Sequence, residues 1–138
     1  MSQQAIVTWQ SNMAFEATIN GHQIIMDTEL DGGGNNQGPR PKILLLAGLG
    51  GCTGMDVVSI LAKMKVVPEK FWMEISAEVN DEHPKVFNQI KLVYYFKGEN
   101  LPFEKLEKAV NLSKEKYCAV SAMLSKTAEM HIEIKIVD

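Results

Sequence analysis

Arginine, cysteine and positive charge are all scarce in this 138-residue chain, and each shortage closes a class of function. Arg40 is the sole arginine and the net charge is −3, so there is no basic surface of the kind that phosphate backbones require. No nucleic-acid partner is expected on that ground. Two cysteines, Cys52 and Cys118, stand 66 positions apart, which rules out a CxxC redox or zinc motif. The three histidines, His22, His83 and His131, fall in a turn, a loop and an exposed strand face, share no ligand spacing and read as surface residues. No metal and no cofactor is expected. The opening residues Met1-Ser2-Gln3-Gln4-Ala5 lack the basic region and apolar stretch of a signal peptide, and no apolar run is read as approaching the roughly 20 residues that span a bilayer. The expectation is a cytoplasmic protein without a membrane partner, where two cysteines are more often free or catalytic than a permanent staple.

What is present suits one domain over residues 1–138, with 46% hydrophobic residues supplying a core. Residues 1–30 read as a β-meander: Ile6–Trp9 and Ala14–Ile19 are strand-like, and Asn20-Gly21 is a two-residue hairpin signal into His22–Met26. Residues 31–41 combine glycines with Pro39 and Pro41 and form a crossover loop without a regular element. The remainder, 42–138, begins with a helix from Lys42 to Lys65, apolar almost all round at its start and amphipathic at its end. A hairpin follows, in which Phe71, Met73, Ile75, Ala77 and Val79 alternate with polar neighbours and Asn80 to Pro84 form the turn into Val86–Phe96. Pro102 and Glu104 open a second helix with Phe103, Leu106, Val110 and Tyr117 on one face, and Cys118 falls at or just beyond its end. Met130, Ile132, Ile134 and Ile136 alternate with His131, Glu133 and Lys135 in a closing, half-exposed strand. The order βββ-α-ββ-α-β is an α+β domain.

Cys52 sits in Ala47-Gly48-Leu49-Gly50-Gly51-Cys52-Thr53-Gly54-Met55-Asp56-Val57-Val58, among glycines where a small ligand can approach. Ile43–Ala47 followed by Gly48-Leu49-Gly50-Gly51-Cys52-Thr53 imitates a dinucleotide fingerprint, but Thr53 stands where the third glycine is needed and a meander precedes it instead of a βαβ unit. A P-loop fails because no Gly-Lys-Ser/Thr comes after the glycines. Met55, Met64, Met73 and the Phe71-Trp72 pair either line an apolar pocket or belong to the core.

Gly38-Pro39-Arg40-Pro41 before a leucine-rich helix, Leu49–Val58, Lys116-Tyr117-Cys118-Ala119-Val120-Ser121 and the terminal alternating strand together resemble the osmotically inducible protein C and organic hydroperoxide resistance family (OsmC/Ohr) over nearly the whole chain. The Cys-Thr-Gly-Met-Asp-Val-Val run is similar to an OsmC-like branch of it. The resemblance implies an OsmC-like fold in an intertwined homodimer, with central helices sandwiched between sheets and the site at the subunit interface. It also implies a thiol-dependent peroxidase acting in oxidative stress defence. Cys52 would reduce an organic hydroperoxide to the alcohol and become a sulfenic acid. Cys118 would condense with it to a disulfide, reopened by a dithiol reductant for which a lipoyl-type group is one candidate.

The family's reactive thiol is assisted by an arginine in an upstream loop and a glutamate near the start of the central helix. This helix begins Pro41-Lys42-Ile43, without an acid, and Arg40 stands directly before it. Arg40 or Lys42 would lower the pKa of Cys52 if the fold or a partner subunit brings either close; otherwise both are solvated charges. Asp56, four residues after Cys52 on the same helix face, would raise that pKa, and a hydrogen-bonding role is its plainer reading. The alternative to the enzyme is a small-molecule binding protein of the same fold that lacks the activating arginine and glutamate pair.

Overall fold

Asn20 and Gly21 both adopt positive φ, 51° and 79°, the geometry a two-residue hairpin turn needs to match the twist of its strands. The turn sits where the sequence places it, in a computed structural model that describes all 138 residues and forms two compact units, Met1–Leu45 and Leu46–Asp138. The first unit is a three-stranded antiparallel sheet in the order β1 (Ile6–Ser11), β2 (Ala14–Ile19), β3 (His22–Met26). Its loop from Asp27 to Arg40 is more regular than its glycines and prolines suggest, because it wraps around one buried side chain. Asp27 accepts the backbone N–H of Thr28 at 2.7 Å with Oδ1, and those of Asn35 at 3.2 Å and Gln37 at 3.1 Å with Oδ2. The Asp27 N–H donates to the Pro39 carbonyl at 3.1 Å, and Leu30–Gly32 forms a short 3₁₀ turn.

The second unit is a three-stranded sheet in the order β4 (Lys70–Val79), β5 (Phe87–Lys97), β6 (Glu129–Val137). β5 pairs antiparallel with β4 and parallel with β6. A parallel neighbour needs a crossover, and the helical segment between β5 and β6 supplies it. The inward row Ile90, Leu92, Tyr94 and Phe96 of β5 is fully buried or nearly so, and Phe71 of β4 stacks on Phe96 with ring centroids 4.6 Å apart. Trp72 lies on the opposite face, stacked on Tyr95 and exposed, so of the aromatic pair only Phe71 joins the core.

Helix α1 (Leu44–Lys63) buries Leu46, Leu49, Gly50, Thr53, Val57 and Leu61, a stripe at helical spacing. At about 2 kcal/mol for each large apolar side chain, this stripe is a principal source of the core's stability. Gly50 and Gly54 let the helix lie close on β4, since a Cβ on either would come within 2.9 Å of the Ile75 or Met73 side-chain tip. The helix has the length and apolarity of a bilayer span, 20 residues with mean hydropathy 1.8, which corrects the reading that no run approaches that length. Its buried stripe against the sheet marks it as a core helix.

The second predicted helix is two. α2 (Phe103–Leu112) buries Leu106, Ala109 and Val110, then a π-helical turn (Ser113–Tyr117) leads to Cys118, and α3 (Ala119–Leu124) completes the crossover. Phe103 and Tyr117, expected on the apolar face, are both exposed. Phe103 is the first residue of α2, and Tyr117 is turned outward because the π turn inserts a residue and rotates the helix surface beyond Ser113. The α+β class and the strand–helix order otherwise stand as expected, with α3 added.

Asp27 tests the first unit. Its carboxyl is held below the usual carboxylate range, chiefly by the Thr28 N–H and then by those of Gln37 and Asn35 and by the charge of Arg40, against the opposing effect of burial. A depressed folded pKa stabilises above the unfolded value and is lost as pH falls through the folded one. Asp27→Asn should therefore lower the unfolding midpoint at pH 7, and the gap from wild type should narrow as pH drops below about 3.9. A gap that stays constant with pH would contradict that role.

Candidate functional site: a dithiol beside a chain of buried hydroxyls

Thr53 occupies a buried position on the α1 stripe, 1% exposed, where a hydroxyl needs a partner. It has two: its Oγ1 lies 2.8 Å from the Tyr94 hydroxyl on β5 and 2.8 Å from Ser113 Oγ at the start of the π turn. Ser113 donates in turn to Asp56 Oδ2 at 2.9 Å. The three hydroxyls come from three elements and meet inside the apolar core. Ser113 also holds the backbone that comes after it, because its carbonyl accepts the Cys118 N–H at 2.8 Å and so closes the π turn.

The result is that Cys118 arrives over α1. Cys52 Sγ, Cys118 Sγ and an Asp56 carboxylate oxygen all lie within 4.8 Å of one another, and both cysteines are free thiols. This is also the one grouping of His, Cys, Asp or Glu side chains in the chain tight enough to be considered for an ion. Cys52 is half-buried and Cys118 is buried. Cys118 has extended backbone and caps α3, its sulfur accepting the Ser121 N–H at 3.3 Å. Burial, reinforced by a hydrogen bond with Cys52 and by the nearby charges of Cys52 and Asp56, pushes the Cys118 thiol up to about 11, with the Ser121 N–H pulling the other way. At neutral pH Cys118 is a thiol, not a thiolate. Burial also raises the Tyr94 phenol, so it keeps its proton.

On α1, the residues Gly50, Gly51, Gly54 and Met55, neighbours of Cys52 in sequence, face Phe71 and Met73 of β4 across an open, mostly apolar groove of about 530 Å³ that Cys52 itself does not line. Of the methionines considered for a pocket, Met55 and Met73 line this groove, while Met64 is half-buried against the core. Arg40, in the first unit, is paired with Glu29 at 2.7 Å through Nε and donates from Nη1 to the Gly38 carbonyl at 2.9 Å. Of the histidines, His22 begins β3, His83 lies in the loop before β5, and His131 is on the exposed side of β6, 3.6 Å from Glu129.

Sequence reasoning found both thiols and Asp56 but missed Tyr94, Thr53 and Ser113. The signal was there: Thr53 continues the helical stripe of Leu46 and Leu49, Tyr94 lies between Leu92 and Phe96 on the inward row, and Ser113 stands two turns beyond Leu106. Three polar residues on apolar faces call for one another.

The model of the family described as OsmC-like protein matches residues 33–135. Protein YhfA of Escherichia coli K12 is 34% identical over 135 residues, covering 97% of this chain and 98% of its own length. Among solved structures, a hypothetical protein from Aquifex aeolicus VF5 superposes with a TM-score of 0.88 at 27% identity, covering 99% of this chain and 97% of that one. The organic hydroperoxide resistance protein OhrB of Bacillus subtilis gives 0.65 at 19% identity, covering 96% and 98%, a likeness of fold alone. By the family match and by the full-length similarity to YhfA, the chain belongs to the OsmC-like protein family.

Proposed function

We propose that this protein is a dithiol peroxidase that reduces organic hydroperoxides to alcohols in the cytoplasm. The observation that carries the reading is the meeting of Cys52 and Cys118, 66 positions apart in sequence, within 4.8 Å in the fold. Cys52, the more accessible sulfur, attacks the peroxide as thiolate. The O–O bond breaks, one oxygen stays on Cys52 as a sulfenic acid, and the other leaves as the alcohol once protonated. Cys118 then displaces the sulfenic oxygen as water and the disulfide is reopened by a dithiol, a lipoyl-type group being one candidate. The apolar groove lined by the neighbours of Cys52 on α1 suits the hydrocarbon tail of an organic hydroperoxide better than hydrogen peroxide.

Arg40, paired with Glu29, is proposed as the cation that supports the Cys52 thiolate. That same pairing, and a helix that opens without an acid, favour the second reading, a binding protein that keeps the fold and the thiols without turnover. The functional unit is proposed to be a homodimer. Leu45, Met55 and Val58 on α1 are 50%, 77% and 54% exposed, an apolar surface that a second copy would cover.

Two outcomes are expected. A slight excess of cumene hydroperoxide should consume both thiols and yield an intramolecular disulfide seen by mass spectrometry of non-reduced peptides, with hydrogen peroxide slower. Cys118→Ser should stop at the sulfenic acid and progress to the sulfinic form, Cys52→Ser should be inert, and Arg40→Ala should slow both the reduction and the alkylation of Cys52 at neutral pH. Thiols that stay reduced after long exposure would leave the binding protein as the better account. For assembly, sedimentation at micromolar concentration should report a dimer, and a stable, folded monomer would count against it.

A further inference from the structure

Closing the disulfide poses a problem that the two sulfurs do not solve alone. Cys118 must lose its proton as it attacks, and the oxygen leaving Cys52 must gain one. The group placed for both is Asp56, whose carboxylate lies within 4.8 Å of the two sulfur atoms.

The hydrogen bonds around it have a direction. A carboxylate only accepts, so the single proton of Ser113 Oγ is spent on Asp56 Oδ2. Ser113 then accepts from Thr53, and Thr53, its proton spent, accepts from the Tyr94 hydroxyl, each across 2.8 Å. Every hydroxyl in the row points its proton toward Asp56. Such an aligned chain fixes the orientation of the half-buried carboxylate at its end. A purely structural hydroxyl cluster needs no carboxylate at its end, and none so close to a pair of thiols.

We propose that Asp56 is the proton acceptor for Cys118 during disulfide closure, an assignment that rests on the dithiol reading above. As the Cys118 sulfur bonds to the Cys52 sulfur of the sulfenic acid, its S–H bond breaks and the proton passes to Asp56. The S–O bond of Cys52 breaks with its electron pair, the hydroxide takes the proton from Asp56, and water leaves. The carboxylate is regenerated, and Tyr94, Thr53 and Ser113 are positioning residues. The raised pKa of Cys118 makes the base necessary, since its thiolate is scarce near pH 7. Titratable groups facing Asp56 are Cys52 on its own helix, Cys118 at the start of α3 and Tyr94 from β5.

The proposal reverses the sign expected from charge alone. As a mere neighbour, Asp56 raises the Cys118 pKa, so removing its charge would speed closure; as a base, its loss slows it. The test uses 5,5′-dithiobis(2-nitrobenzoic acid), which requires no peroxide. The reduced protein releases one thionitrobenzoate when Cys52 reacts and a second when Cys118 closes the disulfide, its proton again going to Asp56. In wild type, with the base supplied by the protein and the Cys118 thiol protonated throughout, the second release should be nearly independent of pH from about 6 to 8. Asp56→Asn keeps the shape and still accepts from Ser113. It should slow the second release at least about tenfold at pH 7, whatever it does to the first, and the second release should recover toward pH 11 as hydroxide takes over. A second release in wild type that climbs about tenfold per pH unit, or an Asp56→Asn protein that closes as fast as wild type or faster, overturns the proposal. A wild-type protein that never gives the second release overturns the dithiol reading itself, while failure with cumene hydroperoxide alone removes only the peroxidase.

Discussion

The buried hydroxyl of Thr53 is the constraint on which the site depends. Placed at 1% exposure on the inner stripe of α1, it would cost about 1–3 kcal/mol if left without a partner. Its two partners come from β5 and from the turn after α2, so satisfying it sets the rotation of α1 over the sheet and the approach of that turn to α1 at the same time. Cys52 precedes Thr53 and Cys118 is tied to Ser113 through the closing bond of the π turn. One polar requirement therefore fixes both thiols relative to each other.

The same arrangement separates the roles of the two cysteines. Cys52 is half-buried, and its sequence neighbours Gly50, Gly51 and Gly54 line an apolar groove. Cys118 is buried, caps α3 with its sulfur and holds its proton well above neutral pH. A sulfur that stays protonated until a partner needs it is suited to the second step of a dithiol cycle rather than the first. The carboxylate beside the pair, read from sequence as a charge that opposes ionisation of Cys52, gains a different meaning once its hydrogen-bond donors are known.

Legibility in the sequence tracked how local the cause was. Asn20-Gly21 was readable because a primed turn demands positive φ at both residues, and β6 because Met130, Ile132 and Ile134 alternate with His131, Glu133 and Lys135, although Ile136 on the same row is exposed. α1 was readable as a helix but not as a stripe, since its start reads as apolar all round whereas the structure buries Leu46 and Leu49 and leaves Ile43 and Leu45 exposed. The π turn was not, because nothing in Ser113-Lys114-Glu115-Lys116-Tyr117 differs from an ordinary helix end; a tertiary demand on Ser113 creates it. The loop around Asp27 was hidden for the same reason, since its order comes from one buried carboxylate and not from the residues that form it. Cys52 and Cys118 were named from the resemblance to a family, but their proximity belongs to the fold. Thr53 entered the sequence reading only as the residue that spoils a glycine fingerprint, and it proves to be the pivot of the site.

The most direct test of this account is the redox equilibrium of the two sulfurs. The protein would be equilibrated across a series of reduced-to-oxidised glutathione ratios, trapped by acid and resolved by mass spectrometry. A hydrogen-bonded frame that holds Cys52 and Cys118 in bonding reach predicts one reversible two-electron transition, from two thiols to an intramolecular Cys52–Cys118 disulfide, with little mixed species between. Glutathione adducts accumulating on Cys52 while Cys118 stays a free thiol at every ratio would contradict it.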